Sequence, residues 1–282
     1  MLIGSPARAF LRIVVYAAMT LVLIPVQALL VLLRLHGPSR WLPVYYHRAV
    51  CWVLGLKVEQ RGQISSAHPT LFVSNHVSYL DIEVLGSLIA GSFVAKAEVA
   101  TWPFFSVLAK LQRTVFVDRR IASTRGNADE MLQRLGHGDN LILFPEGTSG
   151  DGTRVLGFRS SLLAVAQLTK NGKPITVQPV SITYVRLDGI PLGRHWRPFY
   201  AWYGDMSLAP HLWQMAGLGE VLVMVNFHEP TDLAQFADRK KLTEHCQKVI
   251  GEALADSNAG RDRKSTRLNS SHIQKSRMPS SA

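Results

Sequence analysis

Residues 13–33 are almost continuously apolar, and no other stretch limits the possible folds of this chain so sharply. A run of about 20 such residues is long enough to cross the hydrocarbon core of a bilayer. It is too long for the apolar part of a cleaved signal peptide and lacks a small-residue cleavage site. Arg8 and Arg12 precede it and Arg34 and Arg40 follow it, so flanking charge does not orient it. Pro25 and Gln27 interrupt the middle, where a kink is expected to divide the run into two half-length helices. A single span and a shallow re-entrant hairpin both stay open. The next stretch, residues 41–56, carries Trp41, Tyr45, Tyr46 and Trp52, as a helix lying in the membrane interface would. Residues 1–56 are therefore expected to form a membrane-associating helical segment; the alternative is a buried helix pair in a soluble protein.

From residue 57 the pattern changes. Short β-rich runs at 57–60, 70–73, 92–95, 114–117, 140–143, 175–183, 198–202 and 220–226 alternate with helix-like segments at 82–89, 122–135, 160–169 and 239–255. Such alternation predicts an α/β domain over residues 57–261, a mixed sheet flanked by helices. Two cysteines, Cys51 and Cys246, lie far apart without metal-ligand spacing, as free thiols in a reducing compartment would. The histidines are likewise scattered, and no metal site is expected.

The formal charge of +11 needs one correction. Residues 262–282 reverse-translate into a widely used short-read sequencing adapter, so they are read as a library artefact, expected to be disordered, and not as a basic tail. Without them 26 basic residues face 19 acidic ones, leaving +7. A nucleic-acid partner is thereby not expected. The remaining charge suits an anionic bilayer or a phosphorylated substrate.

Chemistry concentrates in Asn75-His76-Val77-Ser78-Tyr79-Leu80-Asp81, which follows the apolar run 70–73. Asn75 and Ser78 are helix-start residues, placing His76 where a strand hands over to a helix, at the open edge of the sheet. A carboxylate five positions later can hold the imidazole in one tautomer, leaving its other nitrogen free to take a proton. No Gly-x-Ser-x-Gly elbow occurs, which argues against a covalent acyl-enzyme hydrolase.

Three further blocks accompany it: Thr114-Val115-Phe116-Val117-Asp118-Arg119, Phe144-Pro145-Glu146-Gly147-Thr148-Ser149 and Val177-Gln178-Pro179-Val180. In this order and at these spacings the four blocks resemble the glycerolipid acyltransferase family, which includes the 1-acyl-glycerol-3-phosphate acyltransferases. The resemblance covers roughly residues 57–227. It implies that His76 is the general base and Asp81 its orienting carboxylate, with the substrate hydroxyl attacking the thioester of an acyl carrier directly. It further implies that Glu146, Gly147 and Thr148 contact the acceptor, Glu146 by ordering basic groups or bonding an acceptor hydroxyl. Lys96 and Arg119 match family positions, and Arg159, with Arg154 beside it, follows the Glu-Gly-Thr block. Residues 102–108 fall where members line the acyl tunnel. Many members carry Arg directly after the Thr; here Ser149 stands there, removing a bidentate phosphate ligand.

The resemblance therefore implies a membrane-bound O-acyltransferase, on the cytoplasmic face of the inner membrane. It would use acyl-CoA or acyl carrier protein as co-substrate, with no cofactor. The first expectation for the acceptor is 1-acyl-glycerol-3-phosphate, giving phosphatidate. The alternative is a lyso-ornithine lipid, whose hydroxyl sits on an acyl chain and whose head group lacks phosphate. Two readings of other classes are a non-catalytic lipid-binding protein and a thioesterase using water.

Overall fold

The computed structural model describes residues 4–102, 105–117, 131, 133–136, 138–167, 169–170 and 173–261. Arg119, most of the expected helix 122–135 and residues 262–282 lie outside them. Two helices lead, α1 (Pro6–Leu32) and α2 (His36–Leu54). An eight-stranded sheet follows, built from β1 (Leu56–Arg61), β2 (Thr70–Ser74), β3 (Gly91–Lys96), β4 (Val115–Val117), β5 (Asn140–Leu143), β8 (Thr176–Leu187), β9 (Ile190–Pro191) and β10 (Val221–Phe227). A small ribbon, β6 (Thr169–Lys170) with β7 (Lys173–Pro174), stands apart. The order across the sheet is β1-β10-β8-β2-β5-β3-β4, with β9 folded back onto β8.

All neighbours run parallel except β8 with β10 and β8 with β9, so the sheet is mixed. The parallel block β8-β2-β5-β3 brings the carboxyl ends of β2, β5 and β3 to one edge, where ligands bind in open α/β sheets. Strand side chains alternate between faces. Leu71, Val73, Leu141 and Leu143 pack against the last helix, α6 (Arg239–Ala259), through Leu242, Cys246 and Ile250. Phe72 and Ile142 point the other way, toward α2, α3 (Leu80–Gly86) and α5 (Leu208–Gly217). Both faces are thus covered, as a largely parallel sheet requires.

Helix α1 runs through Pro25 as one 27-residue element, not as two half-helices. Both halves are held from outside. Arg12 donates to the carbonyls of Ala216 (3.1 Å) and Leu218 (2.8 Å), and Gln27 donates to those of Ser39 (2.9 Å) and Leu111 (3.1 Å). These bonds fix the helix on either side of the proline. By length and composition α1 is the one described helix able to cross a membrane. Phe10, Leu21, Val22 and Leu32 on α1 and Trp41, Tyr45 and Trp52 on α2 remain exposed.

Three further expectations change. Residues 198–202 form no strand: a 3-10 turn at Arg194–Phe199 contains Pro198, which has no N–H for a ladder. Residues 160–167 are likewise 3-10 and not α-helical. The apolar segment after residue 102 contributes α4 (Phe105–Leu111), and α5 was not anticipated, because its residues lack a helical charge pattern.

Candidate active site

The loop leaving β2 is built by side chains that replace backbone partners. Ser74 is the last residue of β2, while β8 continues well past it. Asn75 fills the gap: its Nδ2 donates to the Ile182 carbonyl (3.0 Å) and its Oδ1 accepts from the Ile182 N–H (2.8 Å). The carboxamide thus imitates one more peptide of the ladder while the main chain turns away. Asn75 was expected to start a helix; in the fold it ends a strand. The start of α3 is stabilised instead by Asp81, which reaches back to accept from the main-chain N–H groups of Val77 (2.6 Å) and Ser78 (2.9 Å).

Asp81 is completely buried. Besides those two amides, its Oδ2 faces His76 Nδ1 at 2.9 Å, accepting the ring N–H, and its Oδ1 accepts from the Tyr184 hydroxyl, also at 2.9 Å. Burial, reinforced by the Asp81 charge, raises Tyr184 well above its ordinary value, which keeps it a donor. Four donors therefore satisfy a buried charge and fix its direction. Because Nδ1 faces the carboxylate, His76 presents Nε2 as its free nitrogen. The ring lies flat on Phe144, with centroids 4.2 Å apart, and its side chain stays 20 % exposed.

Glu146 lies at the same sheet edge but faces inward. It is 3 % exposed; Oε1 accepts from the His76 N–H (2.9 Å) and Oε2 from the Leu156 N–H (3.0 Å). Both oxygens are spent on main chain, so the carboxyl latches the β5 loop to the His76 loop. Burial, opposed by those two amides, pushes its pKa up to about 7. Gly147 makes the turn possible, with φ 71°, a left-handed conformation that side chains disfavour. Thr148 is exposed beside it. Ser149 donates its hydroxyl to the Trp202 carbonyl, and the Trp202 N–H donates to Val77 (2.9 Å). Through Trp202 the two motif loops are tied a second time. Lys96 closes β3 at this edge, half-buried. Arg159 and Arg154 are exposed; the Arg159 main-chain N–H donates to the Pro145 carbonyl (2.9 Å). Arg119 lies outside the described residues.

His76 lines a cavity of about 290 Å³ that runs between α1 and α2 on one side and α3, α4 and β3 on the other. Tyr16, Leu23, Leu80, Phe93, Leu108 and Trp202 contribute to its mainly apolar wall. Among the described residues lining it there is no Lys or Arg. The parts played by Tyr184 and Trp202 escaped the sequence, where an aromatic residue in or beside a β-rich run is explained as well by packing alone; Phe144 lies in a motif block, but its stacking on His76 shows only in the fold.

An imidazole held by a buried carboxylate thus faces an apolar cavity, an arrangement able to take a proton from a hydroxyl beside a lipid chain. Comparison with known proteins agrees. The Acyltransferase family profile matches residues 55–183. The chain is 41% identical over 248 residues to the lyso-ornithine lipid O-acyltransferase of Rhizobium meliloti (strain 1021), covering 86% of this chain and 85% of that one. It is 31% identical over 209 residues to the 1-acyl-sn-glycerol-3-phosphate acyltransferase of Neisseria gonorrhoeae, covering 72% and 76%. The crystal structure of the 1-acyl-sn-glycerophosphate acyltransferase from Thermotoga maritima shares the fold, with a TM-score of 0.65 and 22% identity over 89% of this chain and 96% of that one. This chain belongs to the glycerolipid acyltransferase family and is an acyltransferase of lysolipids.

Proposed function

We propose that the enzyme moves a fatty acyl group from a thioester of coenzyme A or acyl carrier protein to the hydroxyl of a lyso-ornithine-type lipid. His76 Nε2 removes the hydroxyl proton as the oxygen attacks the thioester carbonyl carbon. The C–S bond breaks, the acyl group stays on the acceptor oxygen, and the leaving thiolate takes the proton back from the imidazolium. Asp81 holds the ring and offsets its positive charge in between, as the carboxylate does in serine-hydrolase triads. The acyl chain occupies the apolar cavity, and α1 with the exposed aromatic residues of α2 seats the protein in the bilayer. Both kinds of donor are cytosolic, so the α/β domain faces the cytoplasm of the inner membrane.

The observation that carries this reading is the His76–Asp81 pair facing a lipid-sized apolar cavity. For the acceptor, sequence alone put 1-acyl-glycerol-3-phosphate first. Two observations favour the alternative. Four relatives named lyso-ornithine lipid O-acyltransferase share 35–41% identity with this chain, against 31% for the Neisseria phosphatidate-forming enzymes. Ser149, in place of a phosphate-binding Arg, spends its hydroxyl on Trp202. The test uses purified protein, a labelled acyl donor and the two acceptors side by side. Turnover of 1-acyl-glycerol-3-phosphate alone would overturn the acceptor assignment. Free fatty acid released without any acceptor would favour a thioesterase.

A further inference from the structure

The cavity contains a second histidine–carboxylate pair. His47 of α2 places Nδ1 2.6 Å from Glu83 Oε2 on α3, and its Nε2 3.1 Å from Gln112 Oε1. The Gln112 amide nitrogen is turned toward the Gly91 carbonyl (3.4 Å), which leaves its oxygen for the ring. Both ring nitrogens are thus taken up by these two partners. Gly86 gives the ring its seat: a Cβ there would lie 2.4 Å from the imidazole. His47 is therefore fully committed. Glu83 is not. Its Oε1 has no partner among the described residues, its side chain is 17 % exposed, and it is the one carboxylate among the described cavity-lining residues.

We propose that Glu83 is a specificity-determining residue that accepts a hydrogen bond from an N–H of the acceptor lipid through Oε1. Two features select that chemistry. A free carboxylate oxygen is an acceptor only, so it matches a donor. Without Lys or Arg in the described wall, nothing there offsets a phosphate, which Glu83 would repel. Glu83 sits two residues beyond Asp81 in the first turn of α3, so this acceptor and the carboxylate that holds His76 share one short helix. In an N-acylated amino acid lipid the amide N–H lies a few bonds from a hydroxyl on the acyl chain, and Glu83 and His76 line the same cavity. The inference rests on the acceptor assignment above.

The test compares two 3-hydroxyacyl acceptors, one amide-linked to its amino acid head and one an ester analogue with oxygen replacing the N–H. Wild-type enzyme should favour the amide in kcat/KM by roughly 10-fold to 100-fold, because the ester leaves Oε1 facing another acceptor. In Glu83→Gln the new carboxamide keeps its oxygen on the His47 donor and turns its NH₂ into the cavity. The preference should then fall to about one or invert. An unchanged ratio in the variant overturns the proposal, as does equal use of both acceptors by wild type. The wild-type ratio can be read even if the variant does not fold. Failure of wild type to acylate either compound, with 1-acyl-glycerol-3-phosphate accepted, would instead overturn the acceptor assignment itself.

Discussion

The main-chain N–H of His76 donates to Oε1 of Glu146 across 2.9 Å, joining two motif blocks that lie 70 residues apart. With Leu156 bonded to the other oxygen, the glutamate fixes where the His76 loop stands, with both oxygens on main chain. Thr148 of the same block is exposed.

Removing the base while keeping its surroundings tests the mechanism directly. His76→Ala should lower kcat by roughly 10²–10⁴-fold, and its loss of one Asp81 donor should cost about 1.5–3 kcal/mol of stability. Tyr184→Phe should retain the base but remove one donor from a buried carboxylate, costing about 1.5–3 kcal/mol of stability. Its kcat should fall less than that of His76→Ala, because three donors still hold Asp81. Steady-state kinetics and thermal unfolding in detergent check both.

Glu146 gives stability a pH dependence with a definite sign. Its carboxyl ionises near 4.5 ordinarily and near 7 in the fold, so between those values the folded state holds a proton that the unfolded chain has lost. Its contribution is greatest below about pH 4.5, is lost as pH rises toward 7, and levels off above that. Glu146→Gln should flatten this part of the profile. The variant should also lose activity, since a carboxamide offers only one oxygen to two main-chain donors. Midpoints measured from pH 4 to 8 for both proteins provide the comparison.

Asn75→Ala should be among the most destabilising single changes at the site. It leaves the buried N–H and carbonyl of Ile182 without partners, at a cost of about 1–3 kcal/mol each. Chemical denaturation should show the loss, and kcat should fall with it because His76 is the next residue along the released loop.

Filling the cavity should separate chain binding from chemistry. Ala109 of α4 lines it, and Ala109→Phe places a ring where the acyl chain is proposed to lie. Turnover with long-chain thioesters should drop at least tenfold, and short-chain donors should suffer less. A variant that treats both lengths as wild type does would remove the acyl chain from this cavity.

What the sequence determined was whatever depends on neighbours in the chain. Short apolar, β-rich runs located β2, β5, β8 and β10, an almost continuous apolar stretch located α1, and the His76-to-Asp81 spacing suits a turn in which one side chain can reach the other. Contacts between distant segments were decided only by the tertiary structure. Nothing in the residues around Glu146 shows which main-chain groups its carboxyl meets, and the fold turns it inward to the amides of His76 and Leu156. Pro25 reads as a break, yet bonds from Arg12 and Gln27 hold α1 together across it. Asn75 reads as a helix cap, yet β8, more than a hundred residues later, makes it a strand end. In each case the deciding hydrogen-bond partner is remote in sequence, and no local pattern encodes it.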